Sequence, residues 1–137
     1  MSKFNFDKVL KNITRVKREL PKMVANDTKN YFLNSWREQG WDGKAWEMPK
    51  RRLKKNPKRR DNSAILVQSG KLRRAVSNSL KSATWELIKF DVTDVKYAGY
   101  NNFGTDRNPQ RQFMGHTKAL GEIQEKRVTD YFNKVWD

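Results

Sequence analysis

SAILVQSGKLRRAV, residues 63–76, is the stretch around which the rest of the chain arranges itself. Ile65, Leu66 and Val67 make a short apolar run. Ser69 and Gly70 then offer a hydroxyl cap and a flexible residue, and residues 71–76 are long enough for roughly two helical turns. Ser69 is placed to accept a hydrogen bond from the free N–H groups of that first turn. Leu72 and Val76 lie four apart and share one helical face, which turns Lys71, Arg73 and Arg74 elsewhere. An apolar anchor with a basic edge suits an element that docks on a core and shows charge to a partner. A capped surface helix with solubilising charges reads the same way locally.

The 137 residues suffice for one core and point to a single domain over residues 1–137. There is no cysteine, which excludes disulfides and thiolate metal sites and makes a reducing compartment the default. No apolar stretch approaches membrane-spanning length, and the opening MSKFNFDKVLKN lacks a signal peptide's apolar segment. The expectation is therefore a protein with no membrane partner, made and used on the cytosolic side or in a particle assembled there. Thirty Lys+Arg against 15 Asp+Glu give a formal charge of +15, which favours polyanionic neighbours, either nucleic acid or acidic protein. Five tryptophans argue against a disordered basic tail and supply side chains of the kind that anchor interfaces.

Upstream, Phe6, Val9, Leu10, Ile13, Val16 and Leu20 follow helical spacing, with Asn5 as the cap. Pro21 predicts a break or kink at Leu20 and opens a second helix reaching about Gln39. That helix carries Val24, Thr28, Tyr31, Phe32, Ser35 and Trp36 on one face, and Gly40 is placed to end it. Trp41, Asp42-Gly43, Trp46 and Pro49 then form a turn-rich aromatic segment without periodicity. Residues 50–60, KRRLKKNPKRR, hold eight basic side chains in eleven: Lys50, Arg51, Arg52, Lys54, Lys55, Lys58, Arg59 and Arg60. Pro57 and like-charge repulsion oppose a lone helix there, so residues 40–62 read as a basic, flexible arm that meets phosphates or acidic subunits.

Downstream, residues 77–80 and 85–92 predict two strands joined around 81–84. Ile88, Phe90 and Val92 fall on one face, and Trp85, Leu87 and Lys89 on the other. Tyr97, Ala98 and Phe103 suit a short helix or turn closed by Gly104, residues 107–109 a loop, and residues 110–114 a third strand. Thr117 caps a last helix striped by Leu120, Ile123, Val128, Tyr131, Phe132 and Val135. The fold class expected is α+β, a small antiparallel sheet packed against long N- and C-terminal helices with an extended basic loop.

Catalytic chemistry is hard to assemble from these residues. His116 is the lone histidine, and Glu86, Asp91, Asp94 and Asp106 are scattered rather than clustered for a divalent ion. Gly99 and Gly104 lack the strand-to-helix setting and the lysine of a phosphate loop. The reading is a non-enzyme with no cofactor and no metal. Leu20-Pro21 lacks a helix-turn-helix type of turn, and the strands lack the aromatic–glycine pattern of an RNA-recognition module. Nonspecific phosphate contact through the basic arm is the alternative function.

Three short motifs in a shared order resemble the phage virion morphogenesis family, the Mu-type tail-completion or head–tail joining proteins. ILVQSGKLRRAV (65–76) is similar to that family's aliphatic–Ser/Thr-Gly–basic–Leu segment. YAGYNNFGT (97–105) is similar to its Tyr-Ala segment, with Asn101 and Asn102 standing where a His-Gln pair is common. PQRQFMG (109–115) resembles its Pro-x-Arg-x-Phe-Leu/Met-Gly segment before a C-terminal helix. The likeness spans roughly residues 5–136, and the 50–60 run is more basic than the family's usual linker. The resemblance implies a homo-oligomeric ring, commonly a hexamer, at the neck or head-proximal tail end of a virion and in the host cytoplasm during assembly. The implied partners are portal, connector or adaptor proteins on one side and tail tube or tail terminator proteins on the other, with nonspecific contact to genomic DNA. Trp41, Trp46, Trp85, Trp136, Lys71, Arg73 and Arg74 are then the candidate interface residues.

Overall fold

The computed structural model describes residues 4–50, 65–66, 70–93 and 95–136. Helix α1, Phe6–Glu38, is a single rod of 33 residues with Pro21 inside it. Asn5 caps it as expected, its side-chain oxygen accepting the Lys8 amide at 3.0 Å. The break expected at Leu20-Pro21 does not occur. Proline removes one ladder hydrogen bond, but packing on both sides of it holds the rod together. Tyr131 donates its hydroxyl to Glu19 Oε2 at 2.6 Å before the proline, and Arg127 forks onto the Asp27 carboxylate at 2.6 and 3.1 Å beyond it. Pro21 itself is buried.

Those partners belong to α4, Lys118–Trp136, which starts where the Thr117 hydroxyl accepts the Leu120 amide at 3.1 Å. Tyr31 bonds Thr117 at 2.7 Å, and Gln124 donates to Thr28 at 3.0 Å. Contacts descend α1 as they climb α4, so the two helices are antiparallel. Val16, Leu20 and Tyr131 form the apolar part of this seam, flanked by Met23, Val24, Phe132 and Val135.

Helix α1 stops one residue earlier than expected. Gln39, not Gly40, takes the left-handed conformation (φ 52°), and its side chain compensates by donating to the Trp36 carbonyl at 2.7 Å and accepting the Ile65 amide. Gly40 serves a different need, since a Cβ there would collide with the Lys44 carbonyl oxygen. That close approach pairs β1 (Gly40–Trp41) with β2 (Lys44–Ala45). Asp42 and Gly43, both at positive φ, make the two-residue turn that suits a hairpin. Residues 51–62 of the predicted arm lie outside the described residues.

Helix α2, Lys71–Ser77, buries Leu72 and Val76 as expected. Its cap position is Gly70 at φ 69° rather than Ser69, which lies outside the described residues. Ser77 ends this helix, so the strand expected at 77–80 begins later. β3 (Leu80–Ala83) pairs antiparallel with β4 (Ile88–Phe90), and Thr84 and Leu87 exchange the backbone bonds of the turn. Ile88, Phe90 and Val92 are half-buried while Trp85, Leu87 and Lys89 are exposed, the division that the alternation predicts. Helix α3, Ala98–Phe103, leads to Gly104 at φ 76°.

The third strand expected over 110–114 is absent among the described residues. Asn102 Oδ1 accepts the amides of Phe113 and Met114 at 2.9 and 3.0 Å. A side chain has taken the donors that a strand ladder would use. The fold is thus α+β, with two long helices against two small antiparallel ribbons.

The main core gathers Phe32, Trp36, Trp46, Ile65, Leu72, Val76, Val95, Ala98, Phe113 and Leu120. Trp36 sits among them with ring centroids 5.8 Å from Trp46 and 5.2 Å from Phe113, and its indole N–H donates to the Leu66 carbonyl at 3.2 Å. Trp36→Ala is expected to lower stability by about 3–5 kcal/mol. Trp36→Phe keeps much of the packing but strands the Leu66 carbonyl, for a loss of about 1–3 kcal/mol. Urea unfolding followed by circular dichroism orders the two.

The seam also has a pH signature. The Tyr131 hydroxyl and then the Arg15 guanidinium hold the Glu19 carboxyl at about 2, below its ordinary 4.5. Burial, reinforced by Glu19, pushes the Tyr131 phenol up, so it stays a donor. A depressed carboxyl adds stability that is complete above pH 4.5 and is lost as pH falls toward 2. The urea midpoint of Glu19→Gln should therefore fall less steeply than that of the wild type across that window. Parallel slopes for the two proteins would contradict the assignment.

Candidate assembly surfaces

Leu72 and Val76 turn Lys71, Arg73 and Arg74 outward, so α2 presents the basic edge expected of it. Lys50 is also exposed, whereas Arg51, Arg52, Lys54, Lys55, Lys58, Arg59 and Arg60 lie outside the described residues. The tryptophans divide differently from expectation. Trp46 is 6% exposed, and its indole N–H donates to the Gln112 carbonyl at 2.9 Å. Trp41 is half-buried, edge-on to Tyr31 at 5.5 Å. Trp46 is core and Trp41 packs against that core, because the tight Asp42-Gly43 turn folds the hairpin back onto α1. Trp85 and Trp136, at 48% and 44% exposure, remain available to a partner.

Sequence reading missed an exposed apolar surface at the start of α1. Phe6, Leu10 and Ile13 continue the stripe that buries Val16 and Leu20, yet they are exposed, as is Phe4 beside them. The cause is length. A 33-residue helix measures about 50 Å and a 19-residue one about 28 Å. Since α4 starts level with Tyr31 and ends near Val16, the first turns of α1 project beyond it. Comparing the lengths of the two apolar stripes would have revealed the overhang. On this tip Lys8, Lys11, Arg15 and Arg18 form a second row at helical spacing on another side of the rod. Arg15 and Arg18 pair with Glu19 at 3.1 and 3.4 Å.

A second apolar surface lies at the opposite end of α1. β4, α3 and the extended 112–115 segment enclose an open groove of about 500 Å³ lined by Phe90, Val92, Ala98, Phe103, Phe113 and Met114. Asp91 is the one charged side chain among the described residues that line it. Phe103 is 75% exposed at its rim, and Leu87, Tyr97 and Tyr100 are exposed on neighbouring elements. Phe32 closes the inner side, about 28 Å along α1 from Ile13.

His116 is exposed, with its ring against the space that a side chain at position 121 would fill. No group of three or more His, Cys, Asp or Glu suited to a metal ion occurs among the described residues, and no helix there is long and apolar enough to cross a membrane. Comparison with protein-family models, curated proteins and solved structures finds no match to this chain.

The groove depends on Asn102. Asn102→Ala leaves two inward amides without an acceptor and is expected to lower stability by about 2–3 kcal/mol. Asn102→Asp retains the acceptor oxygens and most of the stability. Hydrogen exchange at Phe113 and Met114 should accelerate in the alanine variant alone.

Proposed function

We propose that this chain is a structural subunit of a tailed-phage particle, a head–tail joining or tail-completion protein that works by assembling with copies of itself and with neck and tail proteins. The observation that carries the reading is the pair of separate, dissimilar apolar surfaces on one small subunit. Head-to-tail association needs two such patches, and it gives a ring when the rotation closes. Large aromatic side chains such as Phe4, Phe6, Trp85 and Phe103 are the usual anchors of such contacts.

The motifs behind the family resemblance support the same reading. Ile65, Leu72 and Val76 from the first, Ala98 from the second and Phe113 from the third all enter one core cluster. Segments far apart in sequence are thus bound to one another in a single fold. The portal-side or tail-side partners and the virion location belong to this proposal. So does contact of the basic edge with genomic DNA, which needs no base reading.

Size-exclusion chromatography with light scattering, together with DNA binding across a salt series, tests it. The expected outcome is a closed oligomer whose mass is a whole multiple of 16.3 kDa, formed without DNA. A strict monomer whose DNA affinity falls steeply with salt would instead identify a nonspecific nucleic-acid-binding protein.

A further inference from the structure

We infer that Phe4 and Phe6 of one copy seat in the groove between β4, α3 and the 112–115 segment of the next copy. The inference rests on the assembly reading and names the contact through which copies meet. Phe4 and Phe6 are 78% and 61% exposed, with ring centroids 6.4 Å apart, and stand as a paired aromatic knob at the free end of α1. Aromatic side chains lose little conformational freedom when fixed, which makes them effective plugs.

The groove matches them in size and chemistry. Its volume of about 500 Å³ falls among sites that engulf small apolar ligands. Phe90 and Phe103 offer ring edges and faces, and Met114 adds an adaptable thioether. The occupant cannot be the same molecule's own knob. Phe6 and the groove-lining Phe32 sit on one continuous helix, about 39 Å apart along its axis.

Charge then selects among the pairings of two copies. Tip against tip would oppose the Lys8, Lys11, Arg15 and Arg18 rows of two molecules. Groove against groove would face Asp91 with Asp91. Tip into groove sets a tip on which Lys8, Lys11 and Lys17 outnumber Asp7 against a groove whose described charge is the Asp91 carboxylate. It also leaves each copy with one used and one open end, the condition for a ring or a filament.

The chain has no native cysteine, so single cysteines report the contact cleanly. Phe6→Cys carrying an affinity tag is mixed with untagged Phe103→Cys and mildly oxidised, with untagged Leu87→Cys as the control partner. All three positions are exposed, and circular dichroism checks that each variant folds. The Phe6–Phe103 mixture should give at least tenfold more tagged–untagged product than the Phe6–Leu87 mixture. Phe4→Ala/Phe6→Ala should raise the concentration of half-assembly at least tenfold. An oligomer that forms without this cross-link and ignores the double alanine overturns the contact and leaves the assembly reading standing. A chain that stays monomeric and gives no cross-link overturns both.

Discussion

Trp36 is the side chain on which the C-terminal half of the molecule is assembled. Its ring meets Trp46 edge-on and Phe113 at a tilt, and its indole N–H holds the Leu66 carbonyl. Trp46 in turn binds the Gln112 carbonyl, and Gln39 holds the Ile65 amide from the next turn of the helix. Three segments, around Trp46, residues 65–66 and residues 112–113, therefore converge on the last turns of α1. None of them could stand alone, because two-stranded ribbons and helices of six or seven residues are unstable in water without a larger surface to pack on. Helix α1 supplies that surface, and Trp36 is where most of it is used.

The other half of α1 has one partner among the described residues, α4, and here polar contacts set the alignment. Tyr31 with Thr117, Thr28 with Gln124, Asp27 with Arg127 and Glu19 with Tyr131 fix the register of two antiparallel rods. A register slip would leave several of these groups unpaired at once, which apolar packing alone would not penalise so sharply. Fixing the register also fixes how far α1 overhangs. The exposed tip at Phe6, Leu10 and Ile13 is thus a consequence of the seam rather than a loose helix end.

Much of this was legible in the residues. Helical periodicity marked α1 and α4, the caps Asn5 and Thr117 were recognisable, and alternation assigned the faces of the 85–92 strand. What could not be read was tertiary. Pro21 signals a break to any local rule, and only a helix lying across it overrides the signal. Residues 110–114 carry strand-like chemistry, but their amides are claimed by Asn102, a residue eleven positions upstream of Phe113. Trp46 looked available because it follows a turn, whereas that turn returns it to the core and leaves Trp41 half-buried against it. The exposed apolar tip escaped for a related reason. A stripe announces which face is apolar and says nothing about how much of its length a partner covers.

Over the first turns of α1, Phe6, Leu10 and Ile13 take one face and most of the cations another, until Lys17 enters the apolar face one turn beyond Ile13. Repulsion between two chains of +15 reaches about 8 Å at physiological salt before screening removes it. Apolar burial acts only at contact, at about 25 cal/mol per Å². Were cations mixed into the Phe6–Leu10–Ile13 stripe, every apolar contact would also desolvate a charge, a cost of several kcal/mol per ion without a well-placed partner. Because Lys8, Lys11, Arg15 and Arg18 form their own row, a neighbour can bury the apolar stripe while the cations stay in water or meet an anion. One helix tip can therefore hold a protein on one side and face a polyanion on another, with Lys17 and Leu10 at the border between the two.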